Sequence, residues 1–326
     1  MLLPDTFVRN VNRYAASGTP FLFLINYAAT RCLLYTLPRA QAAGVLFDID
    51  GTCNYTRPTP SAQTPLRLIP HPEPFEAYRR RFEVIQEGLR RGDSFLANLS
   101  LRTPVEPIGA PEQLFHAARA LYKIYLPGRF VCFSPEIFVR ISSDGIISSH
   151  PMKGTIDATI PDARAKILAD PKEAAEHATI TDLIRNDLSR VASGVHVARY
   201  RYIDEIRTRN GALLQVSSQV SGTLPADWRD HLGEILSELL PAGSISGAPK
   251  AATVRLIARA EQHDRGFYTG ICGLFNGSAL STGVLIRFLE QTPAGEYFFH
   301  SGGGITIHSD CLSEYREVME KIYIPV

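Results

Sequence analysis

Two dipeptides constrain this fold more than any other feature of the sequence. Asp144-Gly145 separates the apolar runs at residues 137–141 and 146–149, and Asn276-Gly277 separates those at 268–275 and 279–289. Such two-residue turns need positive φ, which Asn, Asp and Gly tolerate, and they join neighbouring strands antiparallel. Further strand-like runs occur at Phe21-Leu22-Phe23-Leu24-Ile25, Cys32-Leu33-Leu34-Tyr35 and Val45-Leu46-Phe47, and at residues 95–101, 129–133, 195–207, 213–223 and 296–307. Helical patterns break up the hairpins. An amphipathic stretch at residues 75–91 stops at Gly92, and others span 227–240, 249–262 and 311–322. One more helix opens at Asp170-Pro171, with an N-cap, a proline at the first helical position and Glu173 at capping-box spacing. Hairpins interleaved with helices predict an α+β protein of two packed, mostly antiparallel sheets flanked by helices, not a doubly wound parallel one. The Pro- and Thr-rich stretch from Thr56 to Pro74 reads as a loop. It divides a short β-rich N-terminal part integrated with the core (1–74) from a larger part (75–326).

Composition removes several function classes. The chain has 326 residues, 45% hydrophobic and 21% charged, with a formal net charge of +1. That charge supplies no global field for nucleic acid or an anionic membrane, and no apolar run reaches spanning length. The five cysteines are scattered without paired or zinc-type spacing, which points to a reducing, cytoplasmic setting.

The candidate chemistry lies in four places. Lys153, in the turn Pro151-Met152-Lys153-Gly154-Thr155, follows an apolar strand. A lysine held against apolar structure loses hydration of its charged form and becomes a better nucleophile. Glu173 and Glu176 share a face of one helix, and Glu314 and Glu317 a face of the last. Each pair alone reads as a solvated face; if the helices meet, their carboxylates can hold a hard cation such as Mg²⁺. Glycines cluster in Pro241-Ala242-Gly243-Ser244-Ile245-Ser246-Gly247 and interrupt a strand at Ser301-Gly302-Gly303-Gly304, where bare backbone can approach an anion; Arg287 follows an apolar run and can add a bidentate contact. Glu136, in Ser134-Pro135-Glu136, could donate a proton if half-buried. A fifth motif, Phe47-Asp48-Ile49-Asp50-Gly51-Thr52, resembles the opening of haloacid-dehalogenase-type phosphatases, but the βα alternation that chemistry needs is missing.

Taken in order, these segments resemble the chorismate-utilising enzymes, whose members include anthranilate, aminodeoxychorismate, isochorismate and salicylate synthases. Matching stretches run from Gly92-Asp93-Ser94-Phe95 to Glu314-x-x-Glu317-x-x-x-Lys321, over about residues 75–326. The resemblance implies an active site between two sheets. It implies Mg²⁺ at Glu176, Glu314 and Glu317, with Glu173 close by, bridging to chorismate's ring carboxylate. Gly303, Gly304 and Arg287 would bind carboxylates, with Tyr268 nearby, and Thr155, Gly243, Ser244 and Lys321 belong to the same matched substrate site. Glu136 matches the general acid. Lys153 stands where aminodeoxychorismate synthases carry lysine and the other members alanine. The implied activity is therefore that of aminodeoxychorismate synthase component I: lysine attacks C2, ammonia then adds at C4, and 4-amino-4-deoxychorismate forms on the way to p-aminobenzoate and folate. Anthranilate synthesis, or a catalytically weak chorismate-binding subunit, are the alternatives. Ammonia would come from a separate glutamine amidotransferase, since no such domain fits in the chain. Leu96 departs from the lysine or glutamine usual there, which argues against activation of water. Met152 for isoleucine and Cys311 for proline are minor departures, and the N-terminal region shows no match to tryptophan-binding segments, so no tryptophan inhibition is expected.

Overall fold

The computed structural model describes residues 2–57, 66–208 and 211–325. The chain runs through α1 (Asp5–Ala16), β1 (Phe21–Ile25), β2 (Cys32–Thr36), α2 (Leu37–Ala42), β3 (Leu46–Ile49), β4 (Thr52–Cys53), β5 (Arg67–Pro70), α3 (Phe75–Arg90) and β6 (Leu96–Ile108). It continues with α4 (Pro111–Ala117), β7 (Tyr122–Leu126), β8 (Phe130–Ser134), β9 (Ile137–Ile141), β10 (Ile146–Ser149), β11 (Met152–Asp157), α5 (Ala163–Ala169) and α6 (Pro171–Leu188). The remainder is β12 (Ser193–Thr208), β13 (Gly211–Thr223), α7 (Leu232–Leu239), β14 (Gly247–Ala248), α8 (Lys250–Glu261), β15 (Ile271–Phe275), β16 (Leu280–Val284), β17 (Phe288–Gln291), β18 (Tyr297–Ile305) and α9 (Cys311–Glu320).

Two nine-stranded sheets result. The first has the order β11-β13-β10-β9-β16-β15-β1-β2, with β12 also on β13; the second has β14-β6-β18-β17-β8-β7-β3-β4, with β5 also on β6. The pairings among the described residues are antiparallel. Both predicted hairpin turns form, with φ of 83° at Gly145 and 102° at Gly277.

β1 shows why the layers stack. All five of its residues are buried, so both faces must be covered. Phe21, Phe23 and Ile25 pack in one cluster with Phe7, Val11 and Ala15 of α1 and with Leu232 and Leu236 of α7. Leu22 and Leu24 join Cys272 and Leu274 of the same sheet against Phe47, Tyr122 and Ile124 of the other. A third cluster seats α3, α8 and α9 on the outer face of the second sheet, through Tyr78, Phe82, Leu256, Ile257 and Val318 against Leu99 and Leu101. The layers are helix, sheet, sheet, helix. The sheets approach closely where Tyr122 lies on the bare backbone of Gly283; a side chain there would begin 2.5 Å from its ring.

Four local expectations change. The loop expected at 56–74 contains β5, paired with the end of β6; residues 58–65 of it lie outside the described residues. The triple glycine does not interrupt its strand: Gly302, Gly303 and Gly304 pair in register with Ser100, Leu99 and Asn98, which supply the side chains the glycines lack. The helix expected from 227 begins at Leu232, because the preceding segment turns tightly, Trp228 donating to the Pro225 carbonyl. A helix at the N-terminus, α1, was not expected. Asp48 proves structural: β3 lies between antiparallel neighbours, and the carboxylate accepts from Tyr55 and Arg57 at 3.2 Å each.

Candidate active site

A cavity of about 560 Å³ opens where β6 and β18 of the second sheet part from β9 and β11 of the first, walled by α6 and α9. Lys153 enters it because β11 is irregular. Its pairing with β13 shifts register between Met152 and Thr155, and Gly154 within that bulge takes φ of 79°. A bulge re-aims a side chain that would otherwise continue the alternation. A side chain at Gly154 would begin 2.8 Å from Glu173 Oε2, so the bare backbone also lets that carboxylate in. Lys153 Nζ pairs with Glu176 Oε2 at 3.3 Å. Across the cavity, a side chain at Gly304 would begin 3.7 Å from Lys153 Nζ and 3.1 Å from Leu96 Cδ1.

Glu136 stands after the β8 end, its backbone N–H donating to Ser134 Oγ at 3.1 Å and Ser244 Oγ donating to its carboxylate. Its own surface is only partly covered, yet protein surrounds the carboxyl, and burial raises its pKa against the opposing effects of Ser244, Lys153, Arg287 and Lys321. A carboxyl that keeps its proton towards neutrality is suited to donate it.

On the α9 side, Glu314 accepts from Ser309 Oγ at 2.7 Å, and burial, reinforced by the charge of Glu317, raises its pKa. Glu317 pairs with Lys321 at 2.6 Å, and Lys321 also donates to the Gly302 carbonyl at 2.8 Å. A side chain at Gly303 would begin 3.1 Å from Glu314 Oε2 and 3.8 Å from Glu317 Oε1, so the glycine leaves these carboxylates room against the strand. All four predicted metal-binding glutamates line the one cavity. Among the described residues, no three His, Cys, Asp or Glu are drawn together as a ready cage. Oxygen donors split between two helices, one with its pKa raised by burial and then by its neighbour's charge, fit Mg²⁺, which takes a few carboxylates and completes its shell with water and substrate. The sites fit such an ion as an open, shared one.

Arg287 holds φ of 52°, its carbonyl accepting from Phe133 N–H at 3.1 Å and its guanidinium 5.2 Å from the Tyr323 ring centre. Its Nε is buried without a partner. A non-glycine residue in this strained region with an unspent donor marks a ligand-facing position. Tyr268 is buried against His300 and Phe288, and Thr155 lines the opening.

One predicted site residue lies elsewhere. Gly243 packs under the wall, where a side chain would begin 2.9 Å from Asp187 Oδ2 and 3.0 Å from Leu183. It is needed for close packing on α6, and its neighbour Ser244 reaches the cavity. Below the floor, Arg265 and Glu261 form a buried pair at 2.6 Å. Arg265 donates to the carbonyls of Asn98 and Ile245 and to Thr269 Oγ1, and Glu261 accepts from Ser100 N–H and Oγ. Sequence reasoning did not single out this brace, nor Asn98 and His300 in the cavity wall. Glu261 ends α8 and Arg265 lies beyond it, past Gln262 at φ of 57°, so their spacing of four carried no helical signal of a pair.

A family model for chorismate binding enzymes matches residues 30–325. An uncharacterized PabA-like protein of Haemophilus influenzae is 46% identical over 321 residues, 98% of this chain and 96% of that protein. Aminodeoxychorismate synthase component 1 of Bacillus subtilis is 31% identical over 263 residues, covering 76% of this chain and 54% of that one. Among solved structures, anthranilate synthase component I of Streptococcus pneumoniae superposes with a TM-score of 0.66 at 28% identity, over 79% of this chain and 59% of that one. The expected two-sheet architecture is thereby found in this chain, which superposes on that solved relative. No helix among the described residues is long and apolar enough to cross a membrane.

Proposed function

The chain belongs to the chorismate-binding enzymes, and from that premise we propose that it aminates chorismate to 4-amino-4-deoxychorismate, the activity for which its Bacillus subtilis relative is named. The observation that carries this reading is the placement of Lys153. Its amine stands inside the cavity, beside the bare backbone of Gly304 and an apolar Leu96, neither of which can deprotonate water. In the mechanism, the Lys153 nitrogen bonds to C2 while the C4 hydroxyl departs with a proton from Glu136. Glu176, 3.3 Å away, is placed to take the proton the amine sheds. Ammonia then bonds to C4 and the C2–nitrogen bond breaks, returning Lys153; two allylic displacements replace one harder step.

Arg287, with Tyr268 beside it, and the backbone N–H groups of Gly303 and Gly304 orient the substrate carboxylates. Glu173, Glu176, Glu314 and Glu317 would hold Mg²⁺, which when bound offsets the charge of the ring carboxylate. Ammonia reaches the site from a separate glutamine amidotransferase. A second reading, anthranilate synthesis, is favoured by the Streptococcus pneumoniae structure; Lys153 argues against it. Purified protein given chorismate, Mg²⁺ and an ammonium salt at alkaline pH should form aminodeoxychorismate. Anthranilate and pyruvate without it would overturn the proposal.

A further inference from the structure

Two charges behind the cavity wall are unused by the proposed chemistry. Asp187, near the end of α6, and Lys250, the first residue of α8, pair at 2.8 Å, their side chains only 12% and 15% exposed. Neither lines the cavity. Lys250 Nζ also donates to the Leu239 carbonyl at 2.9 Å, and Leu239 is the last residue of α7. One amine therefore joins both ends of the loop from Leu240 to Pro249 and ties them to α6. Taking two charges out of water is costly, so a buried pair is weak grounds for stability and calls for another account.

The loop carries Ser244, whose Oγ donates to the Glu136 carboxylate. Its far half is held separately: the Ser246 carbonyl accepts from Asn98 N–H at 3.0 Å, and the Ile245 carbonyl from Arg265 at 3.2 Å. Its near half, from Leu240 to Ser244, rests on α6, where the bare backbone of Gly243 leaves room for Asp187 Oδ2. We propose that Asp187 and Lys250 are positioning residues for the general acid: their pair clamps the loop on α6 and so holds Ser244 Oγ on Glu136. A hydroxyl that donates to a carboxylate favours its ionised form, so the clamp limits how far burial raises the Glu136 pKa. Lys153 of β11, Arg287 after β16 and Lys321 after α9 act on Glu136 in the same sense, and the Tyr268 phenol lies near it. All four stay in place in the variants below. The role in catalysis rests on the reading of Glu136 as the acid of a chorismate-aminating site.

The test follows the carboxyl itself. With carboxyl-labelled glutamate, the NMR resonance of Glu136, assigned by its loss in Glu136→Gln, is titrated in wild type, Ser244→Ala, Asp187→Asn/Lys250→Met and the triple variant. The paired exchange removes both charges together, so net charge is unchanged and no lone charge stays buried. Ser244→Ala should raise the midpoint by about one pH unit, the paired exchange by a similar amount, and the triple variant no further. The alkaline limb of kcat/KM for chorismate should move with them. A Ser244→Ala or paired variant titrating within about 0.3 unit of wild type overturns the clamp, as does a triple variant in which the two shifts add. Circular dichroism and thermal melting establish which variants are folded. Asp187→Asn alone carries the test if the paired variant is not. Losing a negative charge by itself lowers a carboxyl pKa, so a raised midpoint there supports a loosened loop, and an unchanged or lowered one overturns the clamp. A carboxyl that shifts while the rate limb stays, or absence of amination by wild type, overturns Glu136 as the acid; the carboxyl titration then decides the clamp by the same outcomes.

Discussion

Replacing Lys153 with methionine should separate catalysis from folding. The side chain is 30% exposed and its partner Glu176 24%, with 3.3 Å between the charged atoms. An ion pair of that length, open to cavity water, contributes about 0–1 kcal/mol to stability. Methionine retains most of the apolar stem, so the side chain's place in the cavity lining is nearly preserved. The transition state loses far more, because no other amine on the cavity wall can form the bond to C2: Lys321 is held by Glu317 and the Gly302 carbonyl. Loss of a covalent nucleophile should lower kcat by on the order of 10³ or more, roughly 4 kcal/mol. The assay pairs amination kinetics with urea denaturation of the same preparation. A Lys153→Met protein that keeps more than about a tenth of wild-type turnover refutes the covalent role. A loss of activity that merely tracks a fall in folded protein refutes the division between chemistry and stability.

Glu136 must be protonated to act, so kcat/KM should fall as pH rises through its raised pKa; Glu136→Gln should lose about 10²–10⁴-fold and flatten that limb of the profile. Glu317→Gln should raise the Mg²⁺ concentration for half-maximal activity by about tenfold or more, and an unshifted titration would make the α9 carboxylates a purely structural pair. His177 is buried, with Nε2 2.7 Å from Ser218 Oγ, and burial lowers its pKa from 6.5 to about 4. The unfolded chain therefore takes up a proton that the fold resists, so about 3 kcal/mol should be lost as pH falls from about 6.5 to about 4, and His177→Gln should remove that slope from denaturation curves. Gly283→Ala places a methyl 2.5 Å from the Tyr122 ring and should cost about 1–3 kcal/mol by thermal melting.

Much of this was legible in the sequence because it was written locally. The turns at Asp144-Gly145 and Asn276-Gly277 need only their own φ angles, and Asp170 caps α6 through Glu173 N–H at 3.1 Å within one turn. Lys153, Glu136 and the four glutamates were legible as separate clusters, and the fold brings them to one cavity. What failed to show was pairing over distance. β1 lies beside β15, about 250 residues further on, and nothing local in either run names the other. The Glu290 carboxylate on β17 meets His300 of β18 and Arg102 of β6, a junction of three strands that no local run announces. Gly243 was misplaced for a related reason: a glycine that admits a ligand and one that admits a helix look alike until the helix is seen. The helix α1 carried its signal in Phe7, Val11 and Ala15, spaced four apart, and was passed over.

The Arg265–Glu261 pair has a consequence for how this site can diversify. It joins β6, the Ile245 segment and Thr269 through a single pair of charges, so removing one partner leaves the other charge buried and costs about 3–5 kcal/mol. Three walls are thus tied into one block, in which no one partner can be changed alone. Variation is left to side chains that stand clear of the brace, above all Leu96 and Lys153. Those two side chains can be exchanged without touching the brace, so the frame around them stays constant while the chemistry they offer changes.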